Sequence, residues 1–519
     1  MRIKIQQMTA KLINSFVYLI ILLCLTTLSL SAQEIKFKVN GVPDTTLHLV
    51  KYMGSKLYYA DTAQIKKGVV VFDGSKHDAG IMALLMPNQK YFEFIFNDED
   101  VYIETKAPNL VDNIKVKKSK ENKVFYEYLN YMKNTQAKGK ALSEKKNATE
   151  DEAEKEALKN QLKEMGSHVR EKQLEFVNNN DDLFVSKVIK ASTDIKIPDA
   201  PENKENEKDS TFEYRYFREH YFDHIDLTDD RMVRTPVLQK KLEYYYSPKM
   251  LLQQPDTIVK YMSKVIDQIP EGSLMYRFVV STVTSDLEKS NIMGMDKAFN
   301  LMLDKYYCST DEEGNKKAFW MEEEKLDEIC KNTKTRLRLV QGVVPPNLML
   351  PDSTNQKWYD IYSLESDYTI LYFWDPGCGH CKKETPKLQK LYTEKLKDRN
   401  VEIFAVGKAT GDDFEDWKKF IQAKGLTFIN VGLTEQIYQQ AKEDPLSLIP
   451  SKTSLESLNY QETYDIFSTP RVWILDKDKK IIAKRLNVAQ IEDYLDRLQG
   501  FEDSEKLFEV DNKKNPQLE

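Results

Sequence analysis

Short runs with alternating apolar positions open the chain beyond residue 33. IKFKV, TLHLVKY, KLYYADTAQI, GVVVFDG and KYFEFIF are rich in β-branched and aromatic residues, with turn residues such as Asn40-Gly41 and Asp73-Gly74 between them. They predict a β-rich domain over 33–112, a small sandwich or an open barrel. From about 117 the period changes: Phe125, Tyr128, Leu129 and Met132 fall at i, i+3, i+4 and i+7, on one face of a helix. Residues 138–172 are rich in Lys, Glu and Ala with few large apolar side chains, which predicts a solvated helical hairpin. PDAPENKENEKDS, 198–210, reads as a polar loop, and more helices follow, giving a helical domain over 113–340.

A Gly and a Pro pair in Gln341–Pro346, QGVVPP, end that pattern. Strands and helices then alternate. LYFW (371–374) and VEIFAVG (401–407) read as strands, and DDFEDWKKFIQAKG (412–425) as a helix. RVWILDKDKKIIAKRL (471–486) reads as two strands around a turn, and AQIEDYLDRLQG (489–500) as a closing helix. Such a succession predicts a mixed central sheet with helices on its faces over 341–503, followed by a polar tail at 504–519. The expected class is therefore multidomain: a small β-rich domain, a mainly helical middle domain and a C-terminal α/β domain.

Composition adds location. Arg2, Lys4 and Lys11 precede the apolar run Phe16–Leu30, and Ser31-Ala32 follow it, which describes a secretory signal peptide over 1–32. The run is short for a membrane span, so membrane contact is expected only through this segment if it stays uncleaved. Cys24 lies between two leucines, where a lipoprotein would want small neighbours, and belongs to the discarded leader. Residues 1–32 hold three basic and no acidic side chains, so the rest carries 73 Lys+Arg against 82 Asp+Glu, a net charge of about −9. That balance offers no field for nucleic acid.

Export bears on the four remaining cysteines, which oxidise readily outside the cytoplasm. Cys308 and Cys330 flank a loop and are either a staple between two helices or two buried thiols. Cys378 and Cys381, in DPGCGHCKKETP, are separated by Gly379 and His380 and stand between a strand and a helix. A zinc site needs two further ligands, and this domain has neither a second Cys-x-x-Cys nor a suitable His pair. A purely structural bridge gains little from closing so small a loop. A redox pair explains the placement, because a helix N-terminus stabilises a thiolate.

The motif resembles that of the TlpA/ResA-like group of exported thiol–disulfide oxidoreductases, which have a thioredoxin fold. Phe373-Trp374, the Cys-x-x-Cys pair, Lys382-Lys383-Glu384 and Pro386 match it in order and spacing, and VVPPNLMLPDS (343–353) resembles its N-terminal hairpin. Thr469-Pro470 resembles the cis-proline that faces the cysteines in this fold. More weakly, the preceding residues resemble companion domains of unknown function in exported thioredoxin-like proteins. The resemblance implies that Cys378 attacks and Cys381 resolves, and that Thr469, Pro470 and Trp374 bind substrate. His380 either stabilises the thiolate or is a solvated imidazole of no consequence. Glu384 either assists proton transfer at Cys381, as in the group, or is a favourable acid in the first helical turn. Pro386 is expected to bend the helix.

Three features depart from thioredoxin itself. Tyr372 stands where thioredoxins carry a buried aspartate, and Gly377 where they carry tryptophan. Cys381 and Pro470 are 89 positions apart, so 443–464 is expected to be an insertion near the active edge that restricts substrates. Peroxiredoxins set their cysteine in Pro-x-x-x-Thr/Ser-x-x-Cys, which LYFWDPGC lacks, so peroxidase activity is not expected. Elsewhere, His220 and His224 are four apart and could share a helix face, but Tyr221 stands where a metalloprotease helix carries glutamate, and an aromatic packing segment is the simpler reading.

The function expected is an exported, periplasmic enzyme that exchanges disulfides with protein thiols or disulfides of the cell envelope and with an upstream redox partner. It needs no cofactor and no metal. Two alternatives stand: an envelope interaction protein with a vestigial pair, and a reductant dedicated to c-type cytochrome assembly.

Overall fold

Alternation builds the first sheets. In β1 (Glu34–Asn40) Ile35, Phe37 and Val39 are buried, while Lys36 and Lys38 are partly exposed, as in a strand with one face on a core. The computed structural model describes residues 33–201 and 209–509. The leader at 1–32 with Cys24, the 202–208 part of the polar loop, and residues 510–519 of the tail lie outside the described residues.

Strands β2 (Thr45–Met53), β3 (Lys56–Ile65), β4 (Val69–Asp73), β5 (Gly80–Leu85), β6 (Tyr91–Phe96), β7 (Val101–Lys106) and β8 (Lys115–Lys118) complete two four-stranded sheets, ordered β4-β1-β7-β8 and β3-β2-β5-β6. Phe37 of the first sheet meets Phe92 and Phe94 of the second at ring-centroid distances of 5.5 and 5.0 Å. The arrangement is thus a sandwich. Strand β5, GIMALL, escapes the alternation rule because it is buried along nearly its whole length.

Helices α1 (Lys120–Ala148) and α2 (Glu152–Asn178) form the expected hairpin, capped by Ser119 and Asp151. Two side chains at the start of α1 fix it, one to the sandwich and one to the next helix. Asn122 bonds both main-chain polar groups of Ile95, at 2.8 and 2.6 Å. The buried carboxylate of Glu121 accepts the N–H groups of Phe184 and Val185, at 2.8 and 2.7 Å, where α3 (Phe184–Ser192) begins. Helices α4 (Phe212–His220) and α5 (Pro236–Tyr245) follow. The chain divides into two units at 243/244, so the helices expected as one domain over 113–340 are shared between them.

The second unit opens with α6 (Pro255–Ile266), α7 (Leu274–Glu288), α8 (Met295–Leu303) and α9 (Glu323–Leu337). Cys308 and Cys330 are joined in a disulfide with their Cα atoms 5.5 Å apart. A small hairpin of β9 (Met349–Pro351) and β10 (Trp358–Asp360) leads into a five-stranded sheet. Its order is β13-β12-β11-β14-β15. Strands β11 (Tyr368–Trp374), β12 (Val401–Gly407) and β13 (Ile429–Val431) are parallel, and β14 (Arg471–Leu475) and β15 (Ile481–Lys484) are an antiparallel hairpin. Helices α10 (Gly379–Leu391), α11 (Asp413–Lys424), α12 (Glu435–Glu443), α13 (Leu455–Leu458), α14 (Tyr460–Thr463) and α15 (Val488–Leu498) complete it. The segment after α9 is tied to the hairpin: Gly342 N–H donates to Ile481 O at 2.7 Å, and Ile481 N–H to Val343 O at 2.9 Å. No described helix is long and apolar enough to cross a membrane.

All five tryptophans lie in this second unit, so their fluorescence reports its unfolding. The cross-link spans 22 positions, and in the chain-entropy model such a loop contributes about 3 kcal/mol. Replacing both Cys308 and Cys330 by Ser is expected to lower the stability of this unit by about that amount in a denaturant titration followed by tryptophan emission. An unchanged midpoint contradicts a stabilising bridge.

Candidate redox site

Strand β11 carries the chain to the end of the sheet, where Asp375-Pro376-Gly377 turns it into α10. The turn is closed by Cys378 N–H donating to Asp375 O at 3.1 Å and by Gly377 N–H donating to Asp375 Oδ1 at 2.6 Å. Cys378 is the N-cap of α10, with its sulfur only partly covered. Burial pushes its thiol up. The N–H of Cys381, the Cys381 thiol, the Thr469 side chain and the N–H of His380 together outweigh that and hold it below the ordinary thiol value. The Cys378 thiol donates to Thr469 O at 3.2 Å, and the Thr469–Pro470 peptide is cis. The structure therefore brings Cys378, Cys381, Thr469 and Pro470 together.

Cys381, one turn in, is fully buried, and burial pushes its thiol up to about 12. Its surroundings follow from the period of β11. Ile370, Tyr372 and Trp374 point to the layer that holds Cys381 and Leu388, while Leu371 and Phe373 point to the other. This overturns the expectation for Trp374. It is 1 % exposed, packs on Phe420 at 5.1 Å, and belongs to the core rather than to a substrate surface.

Alternation also gives Tyr372 a place that a comparison with thioredoxin misses, because there it counts only as a lost aspartate. Its hydroxyl lies 2.8 Å from Thr385 Oγ1, both buried. Burial raises the phenol far above its usual range, and the negative charges of Cys381, Glu384 and Cys378 add to this.

Glu384 sits in the second turn of α10, not the first, so its own helix dipole does not explain it. Its carboxylate is paired with Lys387 at 2.8 Å and accepts Val488 N–H, at the start of α15, at 3.3 Å. It lines a cleft of about 270 Å³ with Tyr372 and Pro470. His380 is exposed and acts on Cys378 through its main-chain N–H. Pro386 lies inside α10. The 443–464 segment packs against the sheet through Tyr460 and Tyr464, whose rings lie 6.0 and 5.0 Å from Phe373. Burial pushes the Tyr460 phenol up to about 12, and the charges of Asp375 and Asp413 add to this.

His220 and His224 do not form a site. Helix α4 ends at His220, which pairs with Asp223 at 2.7 Å, whereas His224 Nδ1 lies 2.9 Å from Thr193 O. Among the described residues no cluster of three or more His, Cys, Asp or Glu is arranged to hold a metal ion.

Residues 342–484 match the AhpC/TSA family, and residues 34–125 match a domain of unknown function, DUF4369. The thiol-disulfide oxidoreductase ResA of Bacillus subtilis (strain 168) is 25 % identical over 167 residues, which are 32 % of this chain and 79 % of that protein. A ResA of Bacillus cereus is 27 % identical over 161 residues, 30 % of this chain and 78 % of its own. Among solved structures, a domain of a possible thiol-disulfide isomerase from Cytophaga hutchinsonii is 32 % identical, with 32 % of this chain and 97 % of that one covered and a TM-score of 0.25. A thioredoxin-like protein from Bacteroides caccae is 16 % identical over 58 % of this chain and 98 % of its own, with a TM-score of 0.37.

The contrast between the two sulfurs has a direct readout. Alkylation of the reduced protein is expected to modify Cys378 along a titration whose midpoint lies below about 8.5, the free-thiol value. Cys381 is expected to stay unmodified up to about pH 10, since its thiol ionises only near 12. Peptide mapping of label against pH checks both; preferential labelling of Cys381 contradicts the arrangement.

Proposed function

We propose that this chain, whose C-terminal third is an AhpC/TSA-type thioredoxin-like domain with ResA-like thiol–disulfide oxidoreductases among its homologues, is an exported enzyme that exchanges disulfides with proteins of the cell envelope through Cys378 and Cys381. Export rests on the leader pattern of residues 1–32, and a periplasmic location follows from it. The observation that carries the activity is the asymmetry of the pair: a depressed thiol at a helix N-terminus beside a buried, raised one.

Each sulfur then has its step. The Cys378 thiolate attacks one sulfur of a substrate disulfide; a mixed disulfide forms and the other substrate sulfur leaves as a thiolate. Cys381 loses its proton and attacks Cys378, which releases the second substrate sulfur and leaves Cys378 and Cys381 joined. Two electrons pass to the substrate, and the steps reverse for a reduced one. An extended polypeptide pairs with the backbone at Thr469, whose carbonyl is 3.2 Å from the Cys378 sulfur. The proton of Cys381 needs a base because its thiol is so weak an acid. Glu384, facing the cleft it shares with Tyr372, fills that role.

Two substitutions test these roles. In Cys381→Ser the resolving step is lost, so mixed disulfides with envelope proteins are expected to accumulate on Cys378. Finding no trapped protein after extraction from the native envelope contradicts the assignment. In Glu384→Gln the amide oxygen still accepts Val488 N–H, and only the part-exposed pair with Lys387 is lost, which costs at most about 1 kcal/mol. Exchange is expected to slow by roughly a hundredfold with an altered pH profile. Unchanged rates across pH in stopped-flow exchange sink the proton role.

A further inference from the structure

Arg471 follows Pro470 at the first position of β14 and turns into a cleft that it shares with Asp296, Arg336, Asp465, Lys484 and Arg485. The same two arginines, Arg471 and Arg485, also line the adjoining cleft that holds Pro470 and Glu384. Charge is not balanced here. Lys484 is buried and paired with Asp296 at 2.6 Å, its Nζ also donating to Leu339 O at 2.8 Å. Arg336 is paired with Asp465 at 2.9 Å.

Those two pairs use up the carboxylates of the cleft. Among the described residues neither Arg471 nor Arg485 has a carboxylate within ion-pair reach. Arg471 spends one N–H on Ser468 Oγ at 3.1 Å, and its Nε is buried without a hydrogen-bond partner. Burial, and the neighbouring charges of Arg485 and Arg336, disfavour its cationic form, while Asp465 partly offsets them. Glu384, across the adjoining cleft, is already engaged by Lys387 and Val488 N–H. Two guanidinium groups with open donors and no anion are complementary to a planar oxyanion.

We propose that Arg471 and Arg485 form a carboxylate-recognition site for an acidic side chain lying a few residues from the reactive cysteine of the exchanging polypeptide. This rests on the disulfide-exchange reading above. Thr469, whose carbonyl stands beside the Cys378 sulfur, is two residues from Arg471 in the chain, so a peptide bound along Thr469 runs past the two arginines. The wall opposite is set by Asp296 of α8 and Arg336 of α9, which hold Lys484 and Asp465 and leave the arginines unpaired. The helical segment before the redox domain thereby selects acidic substrates.

The test uses the full chain and two disulfide-bonded peptides that differ only in Glu or Gln at the positions flanking cysteine. The Glu peptide is expected to exchange with about tenfold higher kcat/KM at low salt, the advantage shrinking as ionic strength rises. Arg471→Gln with Arg485→Gln should bring the ratio of the two peptides towards one, and the Lys substitutions should restore most of it. Equal rates in the unsubstituted protein, or a preference that survives the double Gln variant, overturn the site. A cysteine-free Glu peptide, titrated by the protein's tryptophan emission, to which Trp473 in the cleft wall contributes, separates this from a failure of exchange. Binding that weakens in the double Gln variant supports the site even if no disulfide exchanges, and equal binding overturns it.

Discussion

The first N–H groups of the helix Gly379–Leu391 have no intrahelical partner, and Cys378 stands at their head, where those of Cys381 and His380 help to lower its thiol. Everything else at the redox site depends on this. The same helix carries Cys381 one turn inward, where no water reaches it and burial drives its thiol the other way. Two identical side chains thus acquire opposite tendencies: one thiol is lowered at the helix start, and the other is raised inside the core.

Holding that geometry takes a well-packed sheet. Strand β11 lies at the centre, with β12 on one side and β14 on the other, and its inward residues Ile370, Tyr372 and Trp374 make the floor under the helix. The neighbouring strand ends in Gly407, where a Cβ would collide with the fully buried ring of Trp417. Beyond the sheet, Glu492 and Asp496 of α15 are almost completely buried. They are compensated by Lys395 at 2.5 and 3.3 Å and by Arg399 at 2.6 Å from Asp496, which fixes the last helix to the end of the segment that follows α10. Glu384 bridges α10 to the first turn of that last helix, so it is both a buttress and the carboxylate nearest to hand in the cleft.

Much of this was legible in the sequence, because the relevant signals are local. The order LYFW, then two cysteines before a helical run, names the strand, the turn and the helix N-terminus. Alternation in IKFKV and KYFEFIF names two sandwich strands. What was not legible is orientation and long-range partnership. Trp374 belongs to a motif and so looks functional, yet it ends a strand covered on both faces and is buried with it. Strand β5 has no period to read because both its faces are covered. Glu384 is assigned to the wrong helix terminus when only its own helix is considered, since its partner Val488 lies 104 positions away. The unpaired state of Arg471 and Arg485 depends on where Asp296 and Asp465 spend their charge, and no local pattern carries that.

Disulfide exchange by this domain requires Cys378 and Cys381 to be a reversible redox couple rather than a permanent bridge or two inert thiols. The most direct measurement is the fraction of this pair oxidised in glutathione buffers of graded potential, read by mass mapping of the Cys378–Cys381 peptide. A reversible couple gives a single two-electron transition between about −120 and −270 mV, the range spanned by dedicated disulfide oxidants and reductants. A midpoint below about −300 mV, where structural disulfides lie, or a pair that never closes across the series, contradicts it.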